Sequence, residues 1–183
     1  MQLFEQMRTR IHHYLLQKET SPLGVLRSSM YLDNANSIGI LFDSTEQADR
    51  EMILEYAERL KEKGKKVKLL AFFNNKLKSE NFAFDHFNRQ QLDWALRPQT
   101  REAIDFWEQP FDLLLCLSRK SMLPLDYIAA RSKARFRVGP FTEKTFCYDL
   151  MIEQSDKKDL KAFIQQIEFY MKNMRPKLEA AAV

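Results

Sequence analysis

Residues 37–73 read SIGILFDSTEQADREMILEYAERLKEKGKKVKLLAFF, and this stretch carries one complete unit of an α/β architecture. Ile38 to Phe42 is a short apolar run of the kind that fills a buried strand. Over residues 45–63, Ala48, Met52, Tyr56 and Leu60 recur every fourth position, and Ile53 and Ala57 widen the stripe. That period predicts a helix with one face turned to a core, and Gly64 stands where a left-handed cap ends it. Lys66 to Phe73 then reads as a second buried strand. Strand, helix and strand form a βαβ unit, which implies parallel pairing and a right-handed crossover.

Within this unit the turn FDSTEQAD, residues 42–49, is the first place to look for chemistry. A phosphate loop needs glycine, because the backbone must approach the phosphate closely in conformations closed to residues with a Cβ. The turn has none, and the chain, with 4 Gly in all, contains neither GxGxxG nor GxxxxGK[ST]. A dinucleotide or P-loop nucleotide site is therefore not expected. Ser44, with Gln47 three residues on, predicts a capping box, and Glu46 complements the positive helix end.

The same grammar returns further along. FDLLLCLS, residues 111–118, is a continuous apolar strand; Pro124 opens a helix to about Lys133; and RFRVG, residues 135–139, is a short strand. Arg135 and Arg137 alternate with Phe136 and Val138, which predicts one wet face, as on a sheet edge. CYDLMIE, residues 147–153, adds a last strand, and Leu160, Phe163, Ile164, Ile167, Tyr170, Met171 and Met174 stripe a closing helix. Between the two units, NFAFDHFN at 81–88 predicts a strand with Phe82, Phe84 and His86 alternating, and TREAIDFWEQ at 100–109 a short helix capped by Thr100. Ahead of both, residues 2–18 predict a helix with Phe4, Met7, Ile11 and Leu15 on its apolar stripe and Arg8 and Arg10 off it, ended by a Pro22–Gly24 break.

The expected organisation is an amino-terminal helix and connector at 1–35, one α/β domain at 36–175, and a frayed tail at 176–183. Its fold class is a doubly wound, mostly parallel, Rossmann-like sheet of five to six strands.

Bulk properties limit the function classes. With 45% hydrophobic and 30% charged residues over 183 positions, the chain has the apolar surface of a folded domain. It lacks an apolar run of membrane-spanning length or a signal-peptide core, so a cytoplasmic protein without membrane contact is expected. Cys116 and Cys147 lie in strand-like runs without CxxC spacing and read as buried thiols. His12 and His13 are adjacent and diverge by about 100° on a helix, which suits partner contact better than chelation. Neither HExxH nor GxSxG occurs, and no metal, cofactor or catalytic residue is assigned.

Two regions carry functional readings. If the two βαβ units wind in opposite directions, a crevice opens at the carboxyl ends of the strands, between Asp43 and Ser44 on one side and Ser118, Arg119 and Lys120 on the other. Asn74, Asn75, Asp93 and Trp94 can border it. A carboxylate facing two cations there is either a ligand site or a salt bridge that fixes the loops. The second region is basic, since the net charge of +4 is unevenly spread. Lys61, Lys63, Lys65, Lys66 and Lys68 straddle one helix end and the next strand, and Arg131, Lys133, Arg135 and Arg137 repeat the pattern. Both blocks fall at the amino-terminal rim of the sheet, where they either complement helix dipoles or meet RNA or an acidic protein surface.

FDLLLCLSRKSMLPLDYIAARSKARFRVGPF, residues 111–141, followed by YDLMIE at 148–153, resembles a family of small uncharacterised bacterial proteins with an F/Y-D-L strand, P-L-x-Y-I-A-A and S-x-A-x-F-x-V-G. The likeness extends over about residues 36–172 and implies a Rossmann-like domain without assigned activity. More distantly, Phe111 to Leu117 and Ala134 to Gly139 are similar to the amino-terminal half of heptosyltransferase-type glycosyltransferases. Those enzymes carry a Gly-Asp loop where Asp43-Ser44 stand here, a strand Asp where Cys116 stands, and a second, nucleotide-sugar domain for which 183 residues leave no room. The expectation is therefore a non-catalytic binding or assembly module that meets RNA or a protein through the basic rim or the amino-terminal helix. The alternative is a small-ligand binder or glycosyltransferase-like enzyme using the crevice.

Overall fold

The computed structural model describes residues 2–20, 24, 27–28, 30–75, 82–144, 146–153 and 159–173. In chain order the elements are α1 (Gln2–Thr20), β1 (Ser37–Asp43), α2 (Gln47–Glu62), β2 (Lys66–Phe73), β3 (Asp85–Asn88), α3 (Arg101–Glu108), β4 (Leu113–Leu117), α4 (Leu123–Arg131), β5 (Phe136–Pro140), β6 (Leu150–Ile152) and α5 (Leu160–Asn173). The six strands form one all-parallel sheet in the order β3-β2-β1-β4-β5-β6, with Ile40 of β1 opposite Leu69 and Leu115.

Strand alternation feeds two cores. Ile38, Ile40, Phe42, Leu113, Leu115, Leu117 and Val138 face one side, beneath α2 and α5. Leu41, Leu70, Phe72, Phe87, Leu114 and Cys116 face the other, beneath α3 and α4, with α1 packed outside α4 through Leu16. This is the doubly wound, Rossmann-like arrangement that the two βαβ units predict. Its continuous apolar strands are explained by burial on both faces. Among the described residues no helix is long and apolar enough to cross a membrane.

Local signals hold at several boundaries. Gly64 takes φ +78°, its N–H donates to Lys61 O at 2.8 Å, and the N–H of Lys65 reaches Leu60 O at 3.1 Å, a Schellman end to α2. Thr100 caps α3, its hydroxyl accepting from Ala103 N at 3.3 Å. Two strand glycines make room for rings: a Cβ on Gly39 would stand 2.7 Å from the Phe111 ring, and one on Gly139 2.3 Å from Tyr148.

Four expectations are corrected. The capping box at Ser44 is absent. Glu46 is the N-cap of α2 and its side chain makes no cap bond, while the Asp43 carboxylate accepts from Thr45 N at 3.0 Å and Thr45 Oγ at 2.6 Å, closing the turn one step earlier. On α1 the docked side is not the apolar stripe: His12 and Leu16 are buried, whereas Phe4 and Met7 are exposed. The strand expected at 81–88 is shorter, beginning at Asp85, with Phe82 and Phe84 packed ahead of it on the first core; Asn81 lies outside the described residues. β5 is no edge, because β6 pairs with it and all five of its residues are buried. Met174, Pro22 and the tail at 176–183 also fall outside the described residues.

Candidate functional site

The sheet reverses its winding between β1 and β4. α2 leaves β1 on the first face and α4 leaves β4 on the second, so the carboxyl ends of these strands flank the crevice where doubly wound folds take ligands. Asp43 and Ser44 end one side, and Ser118, Arg119 and Lys120 begin the other, as the strand assignments require. Asn74 joins the first side by donating its N–H to Thr45 Oγ at 2.9 Å.

An ion pair closes this crevice. Arg119 donates Nε and Nη2 to the two carboxylate oxygens of Asp49, on the first turn of α2, each at 2.6 Å. The carboxylate that faces the cation is thus Asp49, which the sequence reading did not single out, and Asp43 is spent on its own turn. Asp49 sits three residues into α2, on the face that a helical wheel assigns to the interior, and this is the signal that marked it. The bond to Asp49, with lesser help from Asp159 and Glu46, raises the Arg119 pKa above its ordinary value. Lys120 stays exposed, and its carbonyl accepts from the Ser118 hydroxyl at 2.7 Å.

Ser44 is fully buried, and its hydroxyl oxygen has no hydrogen-bond partner among the described residues. Its carbonyl accepts from Arg50 at 2.9 Å, and the Arg50 guanidinium lies over the rings of Phe73 and Phe82 at 5.9 and 5.3 Å. Asp93 and Trp94 are engaged elsewhere: Arg8 of α1 donates to Trp94 O at 2.5 Å, and Asp93 pairs with Arg97 at 2.7 Å.

The basic rim is internally compensated. Lys61 pairs with Glu58 at 2.7 Å, Lys68 with Asp85 at 3.6 Å, Arg131 with Glu19 at 3.4 Å, Arg135 with Asp112 at 3.6 Å, and Lys133 with Glu108. Lys65 donates to Asp33 O at 2.6 Å. Arg137 is no rim residue: it is buried, holds Asp149 at 2.9 Å, and donates to Ala129 O at 3.3 Å at the carboxyl end of α4. Its charge complements that helix end. Lys63 and Lys66 are exposed and carry no ion pair among the described residues.

A second polar cluster lies in the core beside β4. Asp126, on a fully buried turn of α4, accepts from Tyr148 Oη at 2.7 Å and from the Ser121 hydroxyl, and Tyr148 also reaches Cys116. Burial is the main cause that pushes the Asp126 carboxyl, the Tyr148 phenol and both thiols upward, so the cysteines stay protonated and unreactive. The signal for this cluster was a lone Asp inside the otherwise apolar LPLDYIAA. Among the described residues no group of His, Cys, Asp and Glu can hold a metal ion.

A surface feature stands outside α4 on the same side of the sheet. Arg8, His12 and Glu19 tie α1 down, His12 through Nδ1 to Ala95 O at 2.6 Å and Glu19 to Arg97 at 2.5 Å and to Tyr127. Away from these bonds the helix presents Met7 and Tyr14 to solvent, and at its edge the exposed Phe4, one turn before Arg8, meets Trp94 edge-on with centroids 6.3 Å apart.

A doubly wound parallel sheet whose crevice is bridged by the Asp49–Arg119 pair defines a Rossmann-like domain. The chain belongs to a family of unknown function (DUF6913), whose model matches residues 8–174. No curated protein matches it.

Proposed function

We propose that this domain is a non-catalytic, cytoplasmic binding module that meets a protein partner through the outer face of α1. The observation that carries the reading is the exposure of Phe4 (52%), Trp94 (49%) and Tyr14 (65%) on and beside a helix that hydrogen bonds fix to the domain. Aromatic side chains held on a rigid element, at low entropic cost to order, are the residues that anchor interfaces. Arg10 and Lys18 flank them against Glu5, so the complementary surface is acidic and apolar. The rim supports RNA binding less, because acids within the chain already neutralise most of its cations.

The test places a photo-crosslinking residue at Tyr14, and in a control at Lys63, in the full chain inside cells. A discrete adduct from position 14 and none from position 63 is the expected result. Adducts equally diffuse at both positions overturn the reading.

A second reading rests on Ser44, whose buried hydroxyl, without a partner among the described residues, stands at the crevice. A sugar or phosphorylated compound that bonds this hydroxyl and draws Arg119 from Asp49 would place the domain nearer the glycosyltransferase-like alternative. Inorganic phosphate that raises the melting temperature of the wild type but not of Arg119→Gln supports it; no shift in either removes it.

A further inference from the structure

The first face carries a groove that nothing above uses. α2 and α5 stand apart on the sheet and enclose about 510 Å³ between them. Met52 and Ile164 line it from the core side, and Glu51 and Glu55 of α2 and Glu168 of α5 add three carboxylates. Two cations, Arg59 and Lys161, also line it, so its walls carry one net negative charge; the Arg59 guanidinium lies over the Tyr56 ring at 5.5 Å. Glu51 and Glu55 are one helical turn apart, a like-charge pair that an isolated helix disfavours. The groove is thus apolar at its base and acidic at its walls.

The exposed side of α1 is its complement in chemistry and in length. Met7, Arg10, Tyr14 and Lys18 form one exposed stripe with spacings of three and four, alternating apolar and cationic groups. Met7 to Lys18 and Ala48 to Arg59 each cover eleven residues of rise, about 16 Å. α1 lies outside the second helix layer and the groove opens on the first, so the sheet separates the two within a molecule. The helix cannot fill its own groove.

We propose that the outer face of α1 docks into the α2/α5 groove of a second copy of this chain, Arg10 and Lys18 facing Glu51, Glu55 and Glu168. The proposal rests on the reading of α1 as the contact face and names the acidic partner as the protein itself. Because face and groove differ and lie on opposite layers, the contact is heterologous, and association continues past a dimer into a closed ring or an open chain. Higher salt weakens it.

Sedimentation velocity of the full chain from micromolar to millimolar concentration tests this. The expected average mass rises with concentration beyond that of two copies. Arg10→Glu with Tyr14→Glu disables the face, and Glu51→Lys with Glu55→Lys disables the groove; each variant alone stays monomeric, its association weakened at least about tenfold. An equimolar mixture of the two forms a 1:1 pair and stops there, since one supplies an intact face and the other an intact groove. All four positions are exposed, and circular dichroism confirms that the variants are folded. A monomeric wild type, a symmetric dimer that grows no further, or a mixture that does not pair overturns the proposal. If the wild type is monomeric while position 14 crosslinks to a different protein, the self-association fails and the α1 reading stands.

Discussion

At the scale of single residues, the tightest constraint is the space over β5. The Tyr148 ring lies where a side chain on Gly139 would project, 2.3 Å from the would-be Cβ, so Gly139→Ala forces the ring or strand to shift. It should destabilise the fold by about 1–3 kcal/mol in urea titration, as overpacking in a filled core does. Asp126, which accepts from that tyrosine, gives a pH-dependent outcome. Burial raises its folded pKa above the unfolded value, so its contribution is fully present below about pH 4 and is lost as pH rises through the folded pKa. Asp126→Asn should therefore gain on the wild type at neutral pH and lose that advantage in acid, read from unfolding curves at several pH values. Arg119 is 55% exposed, so its pair with Asp49 is partly screened, and Arg119→Ala should cost about 1 kcal/mol at low salt.

Helices and strands differed in how much their sequences disclosed. Strands buried on both faces are legible, because an unbroken run such as LLLCL has one simple explanation. Capping at Thr100 and Gly64 is legible for the same reason, a local cause with a local effect. The orientation of α1 was not. Its apolar period identifies a helix, but the side that docks is chosen by partners 78 or more residues away in sequence, among them Ala95 and Arg97. His12 makes this docking sensitive to pH. Its Nδ1–H serves Ala95 O and Nε2 is buried without a partner among the described residues, while Asp93 and Glu19 favour its charge and Arg97 and His13 oppose it. Desolvation dominates and lowers its pKa, so the contribution of neutral His12 is present above about pH 6.5 and is lost as pH falls toward the lowered value. Amide protection in α1, corrected for the intrinsic pH dependence of exchange, should fall between pH 7.5 and pH 5.5 more than in α2, and His12→Leu should remove the difference.

For the molecule as a whole, the doubly wound, mostly parallel class followed from two βαβ units, while the strand order that fixes the winding reversal did not. What fills the crevice did not follow, because Asp49 and Arg119 meet across 70 residues of chain and neither carries a local motif. Charge misled similarly: a pI near 9.0 and clustered cations look like a nucleic-acid footprint until Glu108, Asp112 and Asp149 are brought beside them by the fold. Lys63→Glu with Lys66→Glu should leave retention on an RNA column nearly unchanged, and a large loss would restore the rim as a binding surface. The two ends of the sheet add a constraint of another kind. β6 is three residues long and β3 four, so a visiting strand finds only one or two residues with outward backbone groups at either border. Lateral extension of the sheet, the route by which open parallel sheets join edge to edge, is blocked on both sides. Neighbours must arrive from above or below, onto the helices.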